Sequence, residues 1–269
     1  MSRPLWVVTL IKKGFPLKHF LARLTRVPVI GEIMDHLLFE GDDMIYLPID
    51  HVVQIDTSVE PEGSMVLPSQ VVDYFIETAN FHWIMNYCIC RDSAGCKDYP
   101  IELGCLFMGE AAMNINPELG RRVTKEEALE HVRKCREAGL VHLIGRNKLD
   151  AVWLNVGPGT KLLTVCNCCP CCCLWRMLPD LALGISEKVA KMPGVSVTVN
   201  NNCVGCRMCT DVCFVNAITI VEECAVISDE CRGCGRCVTV CPQNAIEISI
   251  DKNFVERSID HISELVDVS

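Results

Sequence analysis

Between Pro16 and Arg26 the apolar residues Leu17, Phe20, Leu21 and Leu24 recur at spacings of three and four, with Lys18, His19, Arg23 and Arg26 on the other faces. The spacing predicts an amphipathic helix that stops at Pro28, and Ile30, Ile33, Met34, Leu37 and Leu38 predict a second, shorter one. A strand is expected over Met44 to Leu47, then a loop through Pro48, Pro61 and Gly63. The next helix is expected from Ser69 to about Ala79, with Val72, Phe75, Ile76 and Ala79 inward. Thr124, with Glu127 three residues on, matches a capping box. It opens a helix over Lys125 to Ala138 that buries Ala128, Leu129, Val132 and Cys135 and stops at Gly139. Leu140 to Ile144 and Ala151 to Asn155 then read as two strands joined through Gly145 to Lys148. A helix followed by such a hairpin is winged-helix-like. Its surroundings are not strongly basic, so scaffold is expected there rather than DNA reading or a DNA-bound redox sensor, and no nucleic-acid partner is expected.

Composition narrows the class. Half of the 269 residues are hydrophobic and 22% are charged, which excludes general disorder. No apolar run approaches the ~18 residues of a spanning helix. The stretch Trp6 to Ile11 is too short for a secretory signal and is followed by Lys12 and Lys13. Twenty cysteines without an export signal read as thiolates for metal in a reducing cytoplasm rather than as a disulfide framework. The net charge of −9 is uneven: residues 1–31 hold six Lys or Arg and no acid, whereas residues 195–269 hold eleven acids against five bases. The acidic tail suits a basic partner surface. The basic leader suits either packing on its own domain or contact with the inner face of a membrane or a partner subunit.

The tail carries a repeat of 28 residues. Cys203-x2-Cys206-x2-Cys209-x3-Cys213 recurs as Cys231-x2-Cys234-x2-Cys237-x3-Cys241, and each is followed by Asn-Ala-Ile-x-Ile. Three thiolates spaced two apart wrap one cluster in a tight turn, and Gly205, Gly233 and Gly235 tolerate the backbone angles such turns need. Zinc sites instead use C-x2-C pairs, four ligands to an ion. The tail resembles bacterial ferredoxins that carry two [4Fe–4S] clusters. The resemblance implies one cluster on Cys203, Cys206, Cys209 and Cys241 and another on Cys231, Cys234, Cys237 and Cys213. Phe214 stands where that family usually has proline, and Cys224 is expected to be a small buried residue.

Eleven cysteines precede this repeat, and Cys135 falls on the inner face of its helix. The other ten form two groups. Cys88 and Cys90, on an expected buried strand from His82, share a face, and Cys96 and Cys105 follow in loops. Cys166, Cys168, Cys169, Cys171, Cys172 and Cys173 crowd into eight residues. If helical, Cys166, Cys169 and Cys173 share one face and Cys168, Cys171 and Cys172 another. Ten thiolates suit one or two further clusters, with zinc or a purely structural thiol group as the alternative. The motifs CICR, GLVH and CNCCPCCC ahead of a two-cluster domain resemble an uncharacterised family of anaerobe iron–sulfur proteins, over residues 68–250. That likeness implies metal ligation by both groups and no particular reaction.

The expected fold class is α+β. A basic leader over 1–67 precedes a mixed, mainly helical domain over 68–190 with the winged-helix-like element and cysteine-rich cluster-binding loops, and a ferredoxin-like (βαβ)2 domain follows over 191–269. The expected function is single-electron transfer at low potential between a redox partner (a flavoprotein, dehydrogenase or reductase subunit) and an oxidoreductase. The alternative is a reductase that works at an atypical N-terminal cluster fed by the ferredoxin domain. Arg91, Asp92, Asp98 and Glu102 flank the first cysteine group and are candidates for anion binding or proton supply. His82, His131 and His142 are expected to be structural. No phosphate-binding or dinucleotide fingerprint is present.

Overall fold

The computed structural model describes residues 3–50, 53–55 and 67–269. The loop expected around Pro61 and Gly63 lies outside the described residues. Three helices open the chain, α1 (Leu5–Gly14), α2 (Lys18–Leu24) and α3 (Pro28–Leu38), with a 3-10 turn at Phe15–Leu17. Pro28 starts α3 at a position where a missing N–H costs nothing. The apolar stripe of α2 does not face the protein. Leu17, Phe20 and Leu21 are exposed, as are Trp6 (70%) and Leu10 of α1 and Ile33 and Leu37 of α3. Of the eighteen exposed large hydrophobic side chains among the described residues, eleven lie between Leu5 and Leu37, so the apolar surface is concentrated on this one layer.

The basic side chains of the leader point the other way. Arg3 donates to the Trp153 carbonyl, Lys12 pairs with Asp92, and Lys18 donates to the Cys172 and Cys173 carbonyls at 3.2 and 3.0 Å. Arg23 and His19 hold the two oxygens of Asp180 at 3.0 and 2.8 Å, and Arg26 donates to the Pro179 and Leu181 carbonyls. The positive charge of the leader is thus used to pin it onto the cysteine-rich body.

Next in the chain come β1 (Asp43–Tyr46), β2 (Val53–Ile55), α4 (Gln70–Thr78), β3 (His82–Met85) and α5 (Ile89–Ala94). They are followed by β4 (Leu106–Met108), β5 (Gly120–Val123), α6 (Lys125–Glu137), β6 (Val141–Arg146), α7 (Lys148–Leu154) and β7 (Leu163–Cys168). The short α8 (Leu183–Ser186) and β8 (Val189–Lys191) complete the front part. Seven strands form one sheet in the order β5-β3-β4-β7-β6-β1-β8, antiparallel except for β1 beside β8. The capping box of α6 is present, with Thr124 and Glu127 each accepting from the other's backbone N–H. Val72, Phe75 and Ile76 of α4 and Ala128 and Val132 of α6 bury against Ile84, Leu106, Ile144 and Val165 of the sheet.

Three sequence expectations change here. The segment expected as a strand at Ala151 to Asn155 belongs to α7, which Asn147 caps by accepting from the Leu149 N–H. Without a second strand there is no wing, and the winged-helix-like element is absent. The strand from His82 ends at Met85, and Cys88 is instead the residue that opens α5. Cys166 and Cys168 lie on a strand, not a helix. Alternation along β7 turns Val165 to the helix-covered face and Cys166 and Cys168 to the opposite one.

The tail folds as two βαβ units, β9 (Val195–Val199), α9 (Met208–Val212), β10 (Ile218–Val221) and β11 (Cys224–Ile227), α10 (Arg236–Thr239), β12 (Ile246–Ile250). The last helix, α11 (Phe254–Leu265), packs beside α4. β10 pairs with β11, and β12 lies between β9 and β2, so a strand from the leader extends the ferredoxin sheet. Cys224 begins β11 and is exposed, contrary to the expectation that it is buried.

Candidate iron–sulfur and metal centres

The repeat folds back so that its cysteines meet in crossed sets. Cys203, Cys206, Cys209 and Cys241 line one small pocket, and Cys213, Cys231, Cys234 and Cys237 line another. Gly205 and Gly233 take φ of +63° and +62°, and a Cβ on Gly205 would meet the Glu223 carbonyl oxygen at 2.7 Å, so the first loop needs glycine. The repeated Asn-Ala-Ile has a purpose in this geometry. Asn216 and Asn244 both turn left-handed (φ 55° and 47°), which aims the next N–H at the fourth cysteine of each run. Ala217 N–H donates to Cys213 Sγ at 3.2 Å and Ala245 N–H to Cys241 Sγ at 3.3 Å. Bonds of this type favour the thiolate and tune a cluster's potential. Burial pushes the Cys234 thiol up to about 11, a cost that metal binding offsets by taking the proton's place.

The front cysteines divide in a way that their order in the chain does not suggest. Seven of them, Cys88, Cys90, Cys105, Cys166, Cys168, Cys169 and Cys173, line a cavity of about 360 Å³ between the sheet and the leader helices. Cys88 and Cys90 share a sulfur hydrogen bond, which lowers Cys88 to about 7 and, with burial, raises Cys90. Cys105 contacts Cys166, Cys166 contacts Cys168, and Cys168 lies 3.3 Å from Cys173. Bonds from Cys166 and Cys173 hold Cys168 far below an ordinary thiol. Cys96, Cys171 and Cys172 gather at the rim in a tight knot with Cys169, which belongs to both the knot and the chamber wall.

Arg91 tests whether this chamber suits an anionic cluster. Its side chain is fully buried at the chamber wall. Nε and Nη1 donate to the carbonyls of Pro100 (2.8 Å) and Asn167 (2.7 Å), and Nη2 donates to that of Leu103. Among the described residues no carboxylate pairs with it. A buried cation without an acid needs another anion, because burial of an unpaired charge is expensive. Burial pulls the Arg91 pKa down, yet the neighbouring Cys88, Cys169 and Cys105 sulfurs outweigh it and the net shift is upward. Thiolates bridged by iron and sulfide supply such an anion, so the donor set fits.

Of the flanking acids, Asp98 and Glu102 are exposed, and Asp92 is tied to Lys12. None of the three lines the chamber. Asp150, which the sequence reading did not single out, does. It accepts from Trp153 Nε1 and Asn147 Nδ2 at 2.7 Å and from Thr164 Oγ1 at 3.1 Å, and burial raises it to about 6. The histidines are structural. His82 is bonded to the Ile76 carbonyl, His131 to that of Gly104, and His142 to the Asn167 side chain.

The chamber and the second ferredoxin pocket share one core. Cys168, Cys173, Tyr46, Phe214 and Val215 are buried together, with Cys166, Cys213, Cys231 and Cys234 packed against them. Tyr46 Oη lies 3.8 Å from Cys168 Sγ, and its ring centroid is 4.9 Å from that of Phe214. Phe214, the departure from the ferredoxin pattern, therefore fills the gap between the two sites. Arg236, between Cys234 and Cys237, donates to the Cys168 carbonyl and fixes their spacing.

Residues 202–245 match the family model described as the 4Fe-4S dicluster domain. No curated protein and no solved structure matches the chain. The tail is thus a 4Fe–4S dicluster domain in a mixed α+β chain, and cysteine clusters able to bind metal stand in front of it. No helix among the described residues is long and apolar enough to cross a membrane.

Proposed function

We propose that the protein is a multi-cluster electron-transfer subunit in which the cysteine-lined chamber holds a third iron–sulfur cluster in line with the ferredoxin pair. The observation that carries this reading is the shared core of Cys168, Tyr46, Phe214 and the Cys231–Cys237 loop, fixed by Arg236. Thiolate-bound cubanes exchange one electron with little rearrangement, so the protein's work is to hold them close, dry and correctly charged. Tyr46 and Phe214 exclude water from the gap, Arg91 balances negative charge, and Ala217 N–H and Ala245 N–H favour the thiolate form at their sulfurs. Counting iron and acid-labile sulfide on anaerobically purified protein tests it. About twelve irons per chain are expected, and about eight would leave only the ferredoxin pair.

The partner is a redox protein, a flavoprotein, dehydrogenase or reductase subunit, and the assembly sits in the cytoplasm against the inner face of the membrane. The exposed layer of Trp6, Leu10, Phe20 and Ile33 supports bilayer contact, since its apolar side chains face outward while the basic ones are spent on the body. Insertion of that layer is apolar in origin and tolerates salt.

A second reading has its own observation in support. A cubane takes four thiolates and the chamber offers more than four, beside the Asp150 carboxyl, which burial raises to about 6. A reductase would use such an arrangement at a cluster with an open iron site, with electrons fed from the ferredoxin domain. Perturbation of the third cluster's EPR signal by a small exogenous ligand supports this version, and an unchanged signal leaves plain transfer.

A further inference from the structure

The knot at the rim differs in kind from the other cysteine sites. All four sulfurs of Cys96, Cys169, Cys171 and Cys172 lie within 4.8 Å of one another, and Cys96 Sγ is 3.6 Å from Cys171 Sγ. No three of the ferredoxin-domain cysteines gather as closely among the described residues. Four sulfurs on one tetrahedral ion, with bonds of about 2.3 Å, stand about 3.8 Å apart. Four sulfurs on separate corners of a cubane stand about 6 Å apart. The knot has the smaller spacing.

We propose that Cys96, Cys169, Cys171 and Cys172 hold a single zinc ion, distinct from the iron–sulfur centres. Three ligands come from the turn that leaves β7. Pro170 sets that turn, and the Cys172 N–H donates to Cys169 Sγ at 3.3 Å, the kind of outer bond that orients a metal-bound thiolate. The fourth, Cys96, follows α5 at once and is seventy-five residues away in sequence. Its sulfur receives the backbone N–H groups of Asp98 and Tyr99. Four thiolates on a divalent ion leave two negative charges, and two guanidinium groups flank them. Arg176 caps the outer side by donating to the Pro170 and Cys171 carbonyls at 2.9 and 3.2 Å, and Arg91 interacts with Cys169 from within.

Closed four-cysteine zinc is structural, and its place in the fold says what it braces. The ion ties the end of α5 to the exit of β7. Cys88 and Cys90 stand at the start of that helix, and Cys166 and Cys168 at the end of that strand. Zinc therefore clamps the two halves of the chamber wall together, with Cys169 the ligand that faces the chamber and the six other chamber cysteines left for a cluster.

Metal analysis of full-length protein, grown with both iron and zinc and purified without oxygen, tests the assignment. One zinc per chain is expected, with zinc-edge X-ray absorption showing four sulfurs at about 2.3 Å and no neighbouring metal. Cys96→Ser is expected to lose that zinc and keep its iron. Protein without zinc, a single iron in the knot, or loss of about four irons in Cys96→Ser would each overturn the proposal. The count also separates this site from the third cluster: about eight irons with one zinc defeats the cluster alone, and about twelve without zinc defeats the zinc alone. The absorption measurement uses the unaltered protein, so it decides even if the variant does not fold.

Discussion

Replacing Arg91 by methionine removes the fully buried cation at the wall of the cysteine chamber and leaves a side chain of similar reach. Three buried carbonyls, those of Pro100, Leu103 and Asn167, lose their donor. At about 1–3 kcal/mol for each unsatisfied group, partly returned because a guanidinium no longer has to be desolvated, the loss of stability is about 3–5 kcal/mol. The redox consequence is separable. A cluster bound through Cys88 or Cys105 stands one sulfur beyond the guanidinium, roughly 7 Å away, where a unit charge at an effective dielectric of about 20 contributes about 2.4 kcal/mol. For a one-electron couple that is about 100 mV, and losing a positive charge makes reduction harder. EPR-monitored titration of Arg91→Met is therefore expected to show the third cluster about 100 mV more negative while the ferredoxin pair moves little. Arg91→Lys, which keeps the charge and loses the fork, is expected to stay within about 30 mV of the unaltered protein. An unshifted third potential in an iron-replete Arg91→Met protein contradicts the counter-ion role, and so does an equal shift of all the clusters.

The remaining expectations concern other links. Asp150 is raised from 3.8 to about 6 by burial, so between those values the folded state holds a proton that the unfolded state has lost. Its penalty is absent below pH 3.8 and complete above about 6, so stability falls as pH rises through that window, by about 3 kcal/mol at 1.36 kcal/mol per unit. Denaturant melts from pH 4 to 7 measure it, and Asp150→Asn should flatten the slope. Replacing Phe214 by leucine, which keeps the Tyr46 hydroxyl against Cys168, should slow electron transfer between the ferredoxin domain and the chamber several-fold with potentials unchanged; equal flash-reduction rates would remove that gap from the path. Trp6→Ser with Phe20→Ser should lower vesicle binding at least tenfold, at about 1.5–3 kcal/mol per large apolar side chain, and high salt should not. Removing residues 1–31 should release the protein from membranes, and unchanged fractionation counts against the docking layer.

The 28-residue repeat was readable because cluster loops are local: glycines, thiols and the Asn-Ala-Ile turn carry the whole instruction within one short run. Helices α4 and α6 were readable too, from periodicity and a capping box. The segment at 148–154 misled because Ala-Val-Trp-Leu is apolar enough for a strand, while the cap at Asn147 that decides for helix depends on one side chain. The partition of the front cysteines between chamber and knot, with Cys169 at both, could not be read from spacing. It depends on β4 and β7 pairing across the sheet, which brings Cys105 to Cys166, and on α5 carrying Cys96 out to the rim. Nor could sequence decide where the leader's two characters would face. Periodicity separates apolar from basic residues, but only the carbonyls of Cys172, Cys173, Pro179 and Leu181 tell which side turns inward.

Strand β2 bears on how the molecule is made. Val53 lies opposite Ile248, so this strand is separated from its neighbour by nearly two hundred residues of chain. Until β12 arrives, the front half has no ferredoxin sheet to hold it, and the tail, cut out and expressed alone, would offer β12 as a bare edge open to pairing with other chains. The tail is thus poorly suited to life as a transplanted module.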